Sequence, residues 1–302
     1  MPKKSKSLNA LTLHTYADLK RFAQAFADGH LNLLILTGPP GVGKTRATAA
    51  AMPGACLVDG NTTAFGLYLR LWEGRDQPVV IDDVDGLHRD RSAVRLLKAL
   101  CATEPIKTLA WNSDARTLAS EDIPRRFTTT SKVAIIANDW SRLNIDVAAL
   151  EDRGHVVHFD PSAIEVHTQA ATWFRDQEVF DYVAAHLHLL EQPSFRLYVR
   201  AVELKQAGMD WRSSVLAMCL SGTLLVVAKL KADQSFPTEE ERAKAFVAGG
   251  HGCRATYFNL AKKLRPNAEV PRIVLPPLEP ATEPTPDIMD VLRKRWGQLG
   301  QG

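Results

Sequence analysis

The stretch Leu33-Leu34-Ile35-Leu36-Thr37-Gly38-Pro39-Pro40-Gly41-Val42-Gly43-Lys44-Thr45 decides how the rest of the chain is read. Four apolar residues without alternation suit a strand buried on both faces. The glycine run then turns the chain, and Arg46 to Ala51 continue as a helix-forming segment. The pattern fits G-x-x-x-x-G-K-[ST], a phosphate-cradling loop. Its spacing has a physical reason. Glycines let backbone N–H groups turn inward around a phosphate where a Cβ would clash. Lys44 supplies a point charge, the Thr45 hydroxyl is a Mg²⁺ ligand, and the new helix adds its dipole. Gly38, Pro39, Pro40, Gly41, Val42, Gly43, Lys44, Thr45 and Arg46 are therefore the expected nucleotide-binding set, with ATP and Mg²⁺ as cofactors.

Further along, Pro78-Val79-Val80-Ile81-Asp82-Asp83 is a second apolar run ending in acids. That is the form of a Walker B strand. Asp82 is expected to hold Mg²⁺ through water, and Asp83 stands where a water-activating acid belongs. A third run, Val133-Ala134-Ile135-Ile136-Ala137-Asn138, ends in an amide that can orient the attacking water. As a strand-terminal residue, Asn138 equally suits a simple turn. Cys56–Val58 and Val156–Phe159 complete five buried runs separated by helical patterns. The expected fold is an α/β three-layer sandwich around a parallel five-stranded sheet, followed by an all-α lid.

Walker A, Walker B and a following strand that ends in Asn, with helices after them, resemble the AAA+ superfamily of P-loop ATPases. The resemblance covers about residues 31 to 205. It implies an arginine finger in Ala149-Leu150-Glu151-Asp152-Arg153-Gly154 and a sensor-2 arginine in Ser194-Phe195-Arg196. Chemically, a guanidinium fork stabilises the charge spread over a transferring phosphoryl group. An Arg153 acting in trans implies a homo-oligomer, as a ring or a filament. The alternatives are a salt bridge of Arg153 with Glu151 or Asp152, and Arg200 in place of Arg196. Asp82-Asp83 departs from the usual Asp-Glu of the superfamily and resembles replication initiators and helicase loaders. The shorter Asp83 reaches less far toward the water, which implies slow turnover.

The second half of the chain carries the only hint of a client. Residues 252 to 265, G-C-R-A-T-Y-F-N-L-A-K-K-L-R, resemble the recognition helix of a helix-turn-helix. In that reading Arg254, Thr256, Tyr257 and Asn259 face a major groove, and Lys262, Lys263 and Arg265 meet phosphates. The rival reading is a helical hairpin with Phe246, Tyr257, Leu260 and Leu264 as its core. Residues 102 to 131 form an insert, with Lys107–Trp111 and Phe127–Thr130 as two strands of a hairpin. Arg125 and Arg126 in it line a central pore, contact the nucleotide of a neighbouring subunit, or belong to a surface excursion that packs on Trp111.

Organisation follows from these pieces. Residues 1–28 read as a basic tail and a helix over 11 to 28. Residues 29–162 are the nucleotide-binding core, 163–235 a helical lid, 236–268 the helix-turn-helix-like segment, and 269–302 a Pro-rich tail. The chain has 302 residues, 45% hydrophobic and 24% charged, with a formal net charge of +3. That balance suits a globular protein and permits a nucleic-acid partner without requiring one. The four cysteines are scattered without a CxxC pair, which reads as reduced thiols and no zinc site. No apolar segment follows the basic start and none is long enough to span a bilayer, so the expected location is cytoplasmic, without a membrane partner. Three functions compete: a DNA-acting ATPase, a protein-remodelling ATPase with a protein client, and a slow nucleotide switch. The lack of an aromatic-Gly pore loop counts against a threading unfoldase.

Overall fold

The computed structural model describes residues 10–59, 62–82, 90–112, 118, 120, 122–138, 150–190, 192–265 and 272–276. Its centre is a parallel sheet built from β1 (Leu11–Leu13), β2 (Leu33–Thr37), β3 (Cys56–Asp59), β4 (Val79–Asp82), β7 (Val133–Ile136) and β8 (His155–Phe159). The strand order is β1-β8-β2-β7-β4-β3. In β2 and β7 every side chain is buried, because helices cover both faces of the sheet. The pleat sends Leu33, Ile35, Val79, Ile81, Val133 and Ile135 to one face. Leu34, Leu36, Val80, Ala134, Ile136 and Val157 go to the other.

The sheet has one strand more than the sequence predicts. Leu11–Leu13 pairs in parallel with β8, Leu11 opposite Val157 and Leu13 opposite Phe159. The expected helix over 11 to 28 starts later, as α1 (Tyr16–Ala27), because the Thr15 hydroxyl caps it by accepting from the Asp18 N–H. Three residues carry too little periodicity to be read as a strand; the free edge of β8 decides their conformation. Residues 11–27 thereby join the core instead of preceding it.

The first face of the sheet is covered by α3 (Ala64–Glu73) and α4 (Arg91–Leu100), the second by α1 and α2 (Lys44–Ala51). The insert forms the expected hairpin. β5 (Lys107–Ala110) and β6 (Arg126–Thr129) pair antiparallel, with Leu109 opposite Phe127. The hairpin lies along α4 and is anchored by Lys107, whose buried ammonium donates to Asn32 Oδ1 at 2.9 Å and to the Ser131 carbonyl. Burial pushes the Lys107 ammonium below its ordinary value.

After Pro161 the chain is helical, as its patterning predicts: α5 (Ala163–Ala170), α6 (Gln177–Ala185), α7 (Phe195–Gln206), α8 (Trp211–Cys219), α9 (Gly222–Ala232), α10 (Glu239–Ala248) and α11 (Arg254–Lys263). They share one apolar core that includes Phe180, Tyr198, Phe246 and Tyr257. Fully burying side chains of this size contributes on the order of 1.5–3 kcal/mol each. The start of the Pro-rich tail joins them. Leu275 is buried in this core, and Gln177 grips the strap twice, through the Leu275 N–H and the Ile273 carbonyl.

His167 lies among the most deeply buried titratable groups of this region. His167 is fully buried, stacked on Phe180 at 3.8 Å between ring centres, with Nδ1 2.9 Å from the Tyr198 hydroxyl and no partner for Nε2. Burial lowers its pKa from 6.5 to about 4. The ring is neutral in the fold, while an unfolded chain protonates it near the ordinary value. The stability it protects is therefore complete above pH 6.5 and is lost as pH falls toward 4. The loss reaches about 3 kcal/mol. Urea midpoints measured at both ends of that window should show it, and His167→Gln should flatten the dependence; an unchanged slope in the variant assigns the titration elsewhere.

Candidate nucleotide site

The site is assembled where three strands end side by side. β7 lies between β2 and β4, with Ile35 and Ile81 both opposite Ile135. The loop after β2, Asp82 at the end of β4 and Asn138 just past β7 are therefore neighbours, although nearly a hundred residues separate them. Gly38 sits so close to β8 that an added Cβ would lie 2.2 Å from the Phe159 carbonyl oxygen, and its φ of +145° is one that side chains resist. Gly38→Ala should therefore cost about 3 kcal/mol or more of stability. A thermal midpoint equal to wild type would show that the loop can move away from β8.

Gly43 caps α2 with φ +79° and offers no side chain to its first turn. The N–H groups of that turn are open to an anion. Lys44 begins the helix and is 5% exposed. Its ammonium donates to the Gly38 and Pro39 carbonyls, both at 2.8 Å, and to Asn138 Oδ1 at 3.2 Å. These bonds curl the loop around the amino group. Burial lowers the Lys44 pKa to about 8; Asp82 pulls it up, and Arg196 pushes it down. Thr45 Oγ1 donates to Asp82 Oδ2 at 2.9 Å. A hydroxyl and a carboxylate held that close can share one hard cation with phosphate oxygens and water. Among the described residues no group of three or more His, Cys, Asp or Glu side chains could hold a metal alone. Asp83 lies outside the described residues.

The start of α7 packs against the loop. Ser194 caps α7, and the Phe195 N–H donates to the Gly41 carbonyl at 2.9 Å. The Phe195 ring occupies the space beside Gly43, where a Cβ would lie 2.7 Å from it. Phe195 stacks on Tyr16 at 5.8 Å and meets Trp173 edge-on at 5.6 Å. The Tyr16 hydroxyl donates to the Val42 carbonyl at 2.8 Å, and the Arg46 guanidinium lies 5.8 Å from the Trp173 ring centre. Burial and Glu165 raise the Tyr16 phenol above its ordinary range. Tyr16 and Trp173 carry no motif, and Phe195 is quoted only as the neighbour of Arg196; only the folded chain brings the three rings together beside the loop. Arg196, in the first turn of α7, is exposed on the same side and acts electrostatically on Lys44.

Arg153 stands elsewhere. Gly154 packs against Leu33, at the start of β2, whereas Gly38 packs against Phe159, at the end of β8. Five residues of strand at about 3.3 Å each put roughly 16 Å between those levels. The Arg153 guanidinium donates to the Lys98 carbonyl at 2.8 Å, near the end of α4.

The C-terminal motif is only partly as expected. α10 carries a capping box, Thr238 with Glu241, and Gly249–Cys253 joins it to α11 with Gly250 and Gly252 both at positive φ. Tyr257, expected at a groove, is fully buried and donates to Glu239 Oε2 at 2.8 Å. It is a core residue of the α9–α10–α11 cluster, because the apolar stripe of α11 runs through it and Ala261. Thr256 is half-buried and pairs with Cys253 Sγ at 3.2 Å. Arg254 is exposed but clasps Glu240 and lies over the Phe258 ring at 4.8 Å. Asn259, Lys262, Lys263 and Arg265 are exposed.

No protein-family model matches the chain, and no curated protein matches it. Among solved structures, one described as the crystal structure of a DNA replication initiation factor aligns with 74% of this chain and 69% of its own, at 13% identity and a TM-score of 0.40. No helix among the described residues is long and apolar enough to cross a membrane.

Proposed function

We propose that this chain is an AAA+-type P-loop ATPase that binds Mg-ATP between its α/β core and its helical lid and acts on DNA as a homo-oligomer. One observation carries the ATPase reading: the buried Lys44 ammonium is held by the loop's own carbonyls and by Asn138, with the Thr45–Asp82 pair beside it. Three separate segments converge on the arrangement a triphosphate and its cation need. The bound Mg²⁺ neutralises charge on the phosphate oxygens. The glycine loop wraps the phosphates with backbone N–H groups, Lys44 adds charge, and Thr45 and Asp82 hold the cation. Asn138 orients the attacking water, and Asp83 accepts its proton. Arg196 supplies positive charge from the lid. Arg153, too far from its own loop, serves the nucleotide of an adjacent copy.

The DNA reading is supported by the exposed Asn259, Lys262 and Lys263 on α11 and Arg265 just past it, at the end of a compact helical cluster. A protein-remodelling ATPase is the second reading, and the ion pair that occupies Arg254 favours it. ATP turnover measured with and without duplex DNA separates them. Stimulation that is lost in Lys262→Glu/Lys263→Glu supports DNA as the client. Turnover indifferent to DNA, with no retention on it at low salt, sinks that reading and leaves the ATPase.

The pKa of Lys44 has a measurable consequence. A polyphosphate binds the charged ammonium, so free protein must take up a proton when pH exceeds the value of about 8. Affinity for a fluorescent ATP analogue should be flat below that pH and weaken by up to about tenfold per unit above it. A flat profile through pH 9 would mean that the free lysine is already fully charged.

A further inference from the structure

The glycine loop is anchored through its carbonyls as well as through its lysine. The Phe195 N–H, at the start of α7, donates to the Gly41 carbonyl at 2.9 Å, and the Tyr16 hydroxyl, at the start of α1, donates to the Val42 carbonyl at 2.8 Å. These two carbonyls belong to consecutive peptide units, and neither unit is cis. A trans unit points its N–H opposite to its C=O. With the Gly41 and Val42 carbonyls turned to Phe195 and Tyr16, the N–H groups of Val42 and Gly43 face the other way. Burial and Glu165 keep the Tyr16 phenol protonated, so it stays a donor. Tyr16 has little freedom of its own. It is 5% exposed, its N–H donates to Glu165 Oε1 at 2.8 Å, and its ring meets Phe159 edge-on at 5.1 Å. The register of β1 on β8, with Leu13 opposite Phe159, brings the start of α1 to that ring.

We infer that Tyr16 is a positioning residue for phosphate: through the Val42 carbonyl it aims the Gly43 N–H, as the Phe195 N–H aims that of Val42, at the phosphate oxygens of the nucleotide. The inference rests on the Mg-ATP reading of this loop. Its physical basis is the cost of reorienting amides. A Gly-Val-Gly backbone rotates its peptide units readily, because glycine accepts φ on either side of zero. An unanchored loop therefore loses binding free energy to ordering, whereas an anchored one presents its donors already aimed. The Tyr16 and Phe195 rings stack on each other at 5.8 Å, which ties the two anchors into one unit. Val42 is itself fully buried, so its side chain holds the anchored unit from the core side.

The test is displacement of a fluorescent ATP analogue by Mg-tripolyphosphate on the full chain. Tyr16→Phe keeps both ring contacts and the backbone bond to Glu165 and removes only the donor. The variant should bind tripolyphosphate about tenfold more weakly, and the ATP analogue by the same factor. A residue that serves the fold alone would lower the thermal midpoint and leave both dissociation constants where they are. Tripolyphosphate affinity within about twofold of wild type overturns the inference and leaves the nucleotide reading standing. Wild type that binds neither ligand overturns both. Amide hydrogen exchange on wild type gives a second readout that needs no variant. Saturating Mg-tripolyphosphate should slow the Val42 and Gly43 amides by about tenfold or more. Unchanged exchange at both would place the phosphates elsewhere and overturn the inference.

Discussion

Lys44→Ala should weaken Mg-ATP binding by a few hundred-fold and reduce turnover to background. The ammonium is almost wholly buried, and three oxygens converge on it. Removing it strips the loop of its central charge and leaves the Gly38 and Pro39 carbonyls facing each other. Losing one partner from a buried charged cluster costs about 3–5 kcal/mol, which is where the fold-change comes from. Titration with a fluorescent ATP analogue measures it. Retained micromolar affinity would mean that the nucleotide does not sit over this loop. The fold should survive, because the sheet around β2 is apolar and does not depend on the lysine.

Arg153→Ala should behave in the opposite way: nucleotide affinity unchanged and turnover down by about 10³. The prediction rests on position. The guanidinium belongs to the Leu33 end of β2, far below its own glycine loop, and now rests on the Lys98 carbonyl. That single carbonyl contact at an exposed site is weak, and leaving it for a phosphate in a neighbouring copy costs little. Mixing Arg153→Ala with Lys44→Ala protein gives the decisive readout. Each variant supplies what the other lacks, so mixed oligomers should recover part of the turnover. A mixture no more active than its parts would remove Arg153 from the chemistry.

Much of the core could be read directly. Five strands stand where continuous apolar runs predict them, and the loop motif lies between β2 and α2. The Thr238 cap and the hairpin in the insert are also legible, from capping and β-strand patterns. The sixth strand is not, since Leu11–Leu13 is shorter than any periodicity can register. Tyr257 shows a different limit. The same residues suit a groove-facing helix and an apolar stripe, and local pattern does not say which face a neighbour covers. The packing of α9 and α10 against α11 decided it.

The sequence by itself determined the strands, the glycine loop and the residue types at the candidate phosphate site, because these depend on local spacing and on backbone freedom at a few glycines. Tertiary structure alone decided which ends meet. The strand order put Asn138 between the loop and Asp82. Packing of the helical region brought Phe195 to Tyr16 and Trp173 to Phe195. The parallel sheet set Arg153 at the far end from its own glycine loop. Those are contacts between residues distant in the chain, and burial of shared apolar surface, which local sequence does not encode, is what selects them.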